Sequence, residues 1–143
     1  DFEIGTDYPF PIVNLEEAEK ISGHERNAEK SEVALLHELL SGGAKEVVIT
    51  DGERGAWGGT KESTCFIPSF PVTVVAKTGA GDAFSSAYLA ARVYGHDLPT
   101  ALRWGTANSC SVIEAHGPHA GLLDKKQMDG YLKRFAMIRP QGV

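Results

Sequence analysis

Apolar positions follow two rhythms along this chain. Val47, Val48 and Ile49, inside Glu46–Thr50, form an unbroken β-branched run, the pattern of a strand covered on both faces. Recurrence at three and four residues predicts helices elsewhere. Leu15, Ala18 and Ile21 mark one over Leu15–Ile21, broken by Ser22 and Gly23. Val33, Leu36, Leu39 and Leu40 mark a second over Asn27–Leu40, ended at Gly42 and Gly43. Phe84, Ala87, Tyr88, Ala91 and Tyr94 mark a third over Gly81–Tyr94. Ala101, Gly105, Asn108, Val112 and Ala115 mark a fourth over Leu98–Ala115, with Pro99 tolerated in its first turn and Gly117-Pro118 ending it. Asp124 suits the N-cap of a last helix over Lys125–Phe135. Phe10–Asn14 and Val72–Val75 read as short strands, and Ala56–Gly58 with Thr64–Ile67 as a hairpin. The alternation predicts an α/β fold, a mostly parallel sheet flanked by helices, in a single domain over residues 1–143.

Composition narrows the classes. With 143 residues, 42% hydrophobic and 23% charged, the chain is neither a disordered tail nor a coiled coil. Its 14 basic and 19 acidic residues leave a net charge of −5, which argues against a nucleic-acid partner. No apolar run is long enough for a membrane helix. Cys65 and Cys110 form no CxxC and predict buried thiols in a reducing compartment, hence a cytoplasmic location. The chain opens on Asp1 with no charged-then-apolar leader, so the expectation is a processed end, or the interior of a longer product.

Four constellations can carry chemistry. Thr78-Gly79-Ala80-Gly81-Asp82 lies between an expected strand and an expected helix. Glycines there allow a sharp turn, and the unpaired amides of a helix N-terminus favour an anion such as a phosphate. Asp82 can then take the proton of an attacking hydroxyl; the plainer alternative is a tight turn in which Asp82 caps the helix. No Gly-Lys-Ser/Thr follows and no third glycine stands at the dinucleotide offset, so neither of those phosphate loops is present. Asn14 and Glu17 suit hydrated magnesium at a sheet edge, against the favoured alternative of an N-cap and its capping box. Thr50, Gly52 and Gly55 end the Val-Val-Ile strand and can line a phosphate path, or form an ordinary turn. Asn108 is polar on a small apolar face; it can abut a flat ring, or be a core amide satisfied by backbone. His116 and His119 sit in a loop with no further ligand set, and Trp57 and Trp104 read as packing residues.

Thr78-Gly79-Ala80-Gly81-Asp82-Ala83-Phe84 resembles the C-terminal signature of the ribokinase-like (PfkB-type) carbohydrate and nucleoside kinases. Thr50-x-Gly52-x-x-Gly55 and Asn14-x-x-Glu17 stand in that family's order, and the run Ala101 to Ser111 followed by Gly117 resembles the part that shapes its adenine pocket. The likeness covers nearly the whole chain. It implies transfer of the γ-phosphate of ATP to a hydroxyl of a sugar or nucleoside. Asp82 would be the catalytic base, and the amides of Gly79, Ala80 and Gly81 the anion hole. Asn14 and Glu17 would serve magnesium, Thr50 and Gly52 the nucleotide phosphates, and Asn108 would lie beside the adenine. The family often carries Asp six residues before the base, where it helps hold a monovalent cation; Ala76 stands there here, followed by Lys77, which leaves potassium dependence open.

Members of that family run to about twice this length, and their N-terminal half reads the acceptor. The resemblance therefore implies a C-terminal, nucleotide-binding half, completed by a missing N-terminal half or by self-association. The competing expectations are a non-catalytic nucleotide-binding remnant and a soluble α/β domain whose glycines are merely turns.

Overall fold

A computed structural model describes residues 11–23, 31–114 and 123–143. They fall into two compact units, one from the described residues up to Phe66 together with Gln141–Val143, the other from Ile67–Pro140. The sequence-expected helix residues 27–30 and Ala115, Phe10, and the loop with His116 and His119 lie outside the described residues.

The first unit is built on a five-stranded sheet, in the order β1 (Ile12–Asn14), β2 (Val47–Thr50), β3 (Ala56–Gly59), β4 (Thr64–Ile67), β5 (Gln141–Gly142). Val47, Val48 and Ile49 are all buried, as the unbroken run requires. Helices α1 (Leu15–Ser22) and α2 (Glu32–Ser41) cover one face. Their Ala18, Leu35, Leu36, Leu39 and Leu40 pack with Val47, Ile49 and Trp57 in one core. Each fully buried leucine contributes roughly 1.5–3 kcal/mol, so this cluster outweighs any single polar contact of the unit.

The layers match the α/β expectation, but the strand sense departs from a mostly parallel sheet. Among the described residues β1 and β2 pair parallel, while β2–β3 and β4–β5 are antiparallel. The cause is connection length. Asp51–Gly55 is too short for the crossover of a dozen or more residues that a parallel neighbour needs.

The second unit is helical: α3 (Ala80–Val93), α4 (Leu98–Ile113) and α5 (Lys125–Arg134). Phe84, Ala87, Tyr88 and Ala91 form the buried stripe of α3, while Tyr94 of the expected stripe is two-thirds exposed beyond the helix end. The close approach of α3 and α4 depends on Gly105, where a Cβ would lie 2.9 Å from the buried Phe84 ring. Phe70 stacks on Phe135 with centroids 4.6 Å apart.

Val72–Val75 is not a strand. The amides of Val75 and Ala76 both donate to the carbonyl of Ile113, at 2.7 and 3.1 Å, which satisfies an end carbonyl of α4 and leaves no ladder. β-branched composition favours a strand only where a neighbouring strand supplies the hydrogen bonds. Val74 and Val75 are accordingly exposed.

The helix ends follow local rules. Asp97 caps α4, accepting from the Thr100 amide at 2.9 Å. Hydrogen bonds from Thr100 hold its carboxyl below the ordinary aspartate range. A depressed folded value makes its contribution present above about pH 4 and lost as pH falls through the folded value. Melting followed down to pH 2 should therefore show a small acid loss that Asp97→Asn removes; an unchanged pH profile in the variant would refute the assignment. Cys65 and Cys110 are buried free thiols, as expected from their placement in the sequence. No described helix is long and apolar enough to cross a membrane.

Candidate active site

The turn before α3 is set by glycine chemistry. Gly79 has φ 85° and ψ 0°, the third-corner conformation of a type II turn, and the Ala80 amide closes that turn on the carbonyl of Lys77 at 3.3 Å. The first intrahelical bond is from Ala83 to Gly79, at 2.9 Å. Of the three amides expected to form the anion hole, Ala80's is thus engaged by the turn. Among the described residues the amides of Gly81 and Asp82, and that of Gly79 at the cap, have no hydrogen-bond partner. Gly81 has no positive φ, and a Cβ added there would meet nothing within 4 Å. Neither the backbone nor the packing of this unit accounts for a glycine at that position.

Asp82 lies at the third helical position, exposed, and among the described residues its carboxylate makes no hydrogen bond or ion pair. Its carboxylate therefore does not do the capping work of the plainer alternative. It stands free in the first turn, where the positive end of the helix dipole favours negative charge.

Asn108 is buried and fixed at both ends. Its Nδ2 donates to the carbonyl of Ala83 at 2.9 Å, and its Oδ1 accepts from the Leu123 amide at 3.0 Å. This is the core amide of the alternative reading: it ties α4 to the first turn of α3, directly behind the open amides.

In the first unit the structure brings Asn14 and Thr50 side by side, as Cα partners at the C-terminal ends of the parallel strands β1 and β2. Open α/β sheets bind ligands at such edges. Asn14 and Glu17 form the complete capping box: Oδ1 of Asn14 accepts from the Glu17 amide at 2.8 Å, and Oε2 of Glu17 accepts from the Asn14 amide at 3.0 Å. The box uses one lone pair of Asn14 Oδ1 and one carboxylate oxygen of Glu17, and leaves the other Glu17 oxygen for a further contact. Among the described residues no group of three or more His, Cys, Asp or Glu is placed to hold a metal ion.

The hydroxyl of Thr50 donates to the Val13 carbonyl at 3.5 Å, a weak bond. Gly52 begins a 3-10 turn (Gly52–Arg54), and Gly55 adopts φ 116° and ψ −152°, a region open essentially to glycine alone. Sequence reasoning missed Arg54, which lies between these glycines. Its guanidinium pairs with Asp51 at 2.8 Å and Glu32 at 2.6 Å and lies over the Trp57 ring, so it fixes the turn against α2. The only advance sign was a cation inside a glycine-bounded segment.

The model of the pfkB family carbohydrate kinases matches residues 10–125, most of the chain. The chain belongs to that family. Among relatives, a 5-dehydro-2-deoxygluconokinase of Geobacillus thermodenitrificans is 26% identical over 141 residues, 98% of this chain and 39% of the relative. A ribokinase of Staphylococcus aureus is 31% identical over 112 residues, 78% of this chain and 37% of the relative. Among solved structures, an E. coli protein described as a ribokinase II, in complex with ATP and Mg2+, superposes with a TM-score of 0.78 at 26% identity, covering 88% of this chain and 39% of that one. This pfkB-family chain therefore spans about two fifths of the length of the relatives it matches. Those relatives are named as kinases of small carbohydrates, and the fold is that of ribokinase.

Proposed function

We propose that this chain supplies the nucleotide-phosphate seat and the catalytic base of an ATP-dependent kinase acting on a hydroxyl of a sugar or nucleoside. One observation carries the reading. At the start of α3, two unpaired amides, a glycine with open space where a side chain would be, and an exposed, uncapped Asp82 occur together. In phosphoryl transfer the protein mainly positions the groups and stabilises charge on the equatorial oxygens. The amides of Gly81 and Asp82, with the helix dipole behind them, receive that charge. The Asp82 carboxylate accepts the proton of the attacking hydroxyl, and Asn108 holds the first turn of α3 in place through Ala83.

The residues fit a hydrated magnesium ion held through water: the capping box engages one oxygen of Glu17 and one lone pair of Asn14 Oδ1, and leaves the other Glu17 oxygen for a bound water. Magnesium bound there with ATP would neutralise phosphate charge. Within the first unit, Thr50 and the Gly52–Gly55 turn are proposed as phosphate contacts. Residues that read the acceptor belong to a companion segment or a second copy of the chain.

Binding to the folded state alone raises the melting temperature, by about 2.7 kcal/mol of stability when ATP exceeds its Kd a hundredfold. Scanning calorimetry of the chain with ATP and magnesium should show such a rise. An unchanged melting temperature at saturating nucleotide would contradict the proposal. A rise without acceptor-dependent ADP release, even with the companion segment supplied, would favour the non-catalytic remnant.

A further inference from the structure

A second cluster of charge lies on the helical unit, away from the glycine turn. Arg103 is on α4, five residues before Asn108, or roughly 7.5 Å along the helix from the residue that braces the first turn of α3. Its guanidinium reaches the end of α5: Nη2 donates to the carbonyls of Leu132 at 3.0 Å and Phe135 at 3.5 Å, and Nε to that of Ile138 at 3.3 Å. These bonds hold the guanidinium in one orientation and leave Nη1 without a partner among the described residues. Nε of Arg139 donates to the Ala136 carbonyl at 3.2 Å, which fixes a second guanidinium nearby. Arg103, Lys133 and Arg139, with Asp129, Leu132 and Ala136, line an open groove of about 320 Å³.

Three cations thus face one groove with a single carboxylate, and among the described residues none of the three forms an ion pair. Burial first, and the charge of Arg139 after it, lower the pKa of Arg103. The end carbonyls of α5 favour cations beside them, but their bonds use only part of the donor set, and Nη1 of Arg103 is left for a further acceptor. Guanidinium donors presented in fixed directions match phosphate oxygens. The walls from Leu132 and Ala136 suit carbon, and Asp129 can accept a hydroxyl proton.

We propose that this groove binds the dianionic head of a small phosphomonoester, its phosphate on Arg103, Lys133 and Arg139 and a hydroxyl on Asp129. The inference does not depend on the kinase reading, because no residue is shared between the two places. The test uses the full chain and two probes, inorganic phosphate and glycerol 3-phosphate, followed by calorimetry and by the Nε–H resonances of Arg103 and Arg139. Those resonances are observable because both groups are hydrogen-bonded to backbone.

Saturable shifts of both resonances at millimolar probe are expected. Lys133→Gln and Arg139→Gln, exposed and outside the α5 carbonyl bonds made by Arg103, should each weaken binding by roughly tenfold. The unliganded melting temperature of Lys133→Gln should stay near the parent value, and that of Arg139→Gln should fall slightly with the loss of its bond to Ala136. Tighter binding of glycerol 3-phosphate than of phosphate would assign the carbon and hydroxyl contacts. Equal binding would confirm the phosphate contacts and overturn the assignment of Asp129. Absence of saturation up to tens of millimolar, or binding unchanged in both variants, would overturn the site.

Discussion

Asp82→Asn is expected to lower acceptor-dependent ADP release by roughly 10²–10⁴-fold, the usual contribution of a positioned general base. The change keeps the size and polarity of the side chain. The carboxylate makes no capping bond in the folded chain, so its removal breaks no contact of α3. Melting temperature should fall only slightly, by the roughly 0.3–1 kcal/mol a carboxylate gains from the helix dipole, and ATP binding should stay within a few fold, since the amides that receive the phosphates belong to the backbone. The measurement is steady-state ADP production by the completed kinase with its acceptor, beside a nucleotide titration of the same preparation. Loss of turnover together with loss of folding would make Asp82 a structural residue. Unchanged turnover would remove it from the reaction.

Gly81→Ala should separate stability from function in opposite directions. The residue lies in the first turn of α3 with no positive φ, and a Cβ there meets nothing within 4 Å. Alanine lowers the entropy of the unfolded chain and favours helix, so stability should rise by about 0.4–1 kcal/mol. The same methyl group occupies the open space beside the unpaired amides. Losing productive contact with one such donor costs on the order of 10²-fold in transfer. Paired thermal melts and turnover measurements read both effects. A variant that is more stable and fully active would show that the open space beside Gly81 is not where the phosphoryl group sits.

Much of this molecule was legible from local chemistry. The Asn14–Glu17 capping box and the Asp124 cap are short-range bonds whose partners lie three residues apart, and both formed as the sequence indicated. The helical stripes of α2, α3 and α4 are buried because three-and-four spacing decides which face meets a core. The glycine turn was legible for the same reason, since φ 85° at Gly79 selects the residue.

Long-range partners were less legible. Val72–Val75 has strand composition, yet its end amides go to Ile113, far along the chain. The strand sense of β3 was fixed by a five-residue connection whose length could be counted, though composition suggested parallel packing. Asn108 gave no sign in sequence of which backbone groups it would satisfy. Arg54 and Arg103 were invisible as structural cations, because an arginine's partners depend on what folds against it.

The central claim is that the start of α3 receives phosphate charge. It is tested most directly by following the backbone amide resonances of the chain as ATP and magnesium are added. The amides of Gly81 and Asp82 should move first and furthest, with saturation at one nucleotide per chain and with both responses weakened in Gly81→Ala. Saturable binding that leaves these two amides in place, or no binding at all, would contradict it.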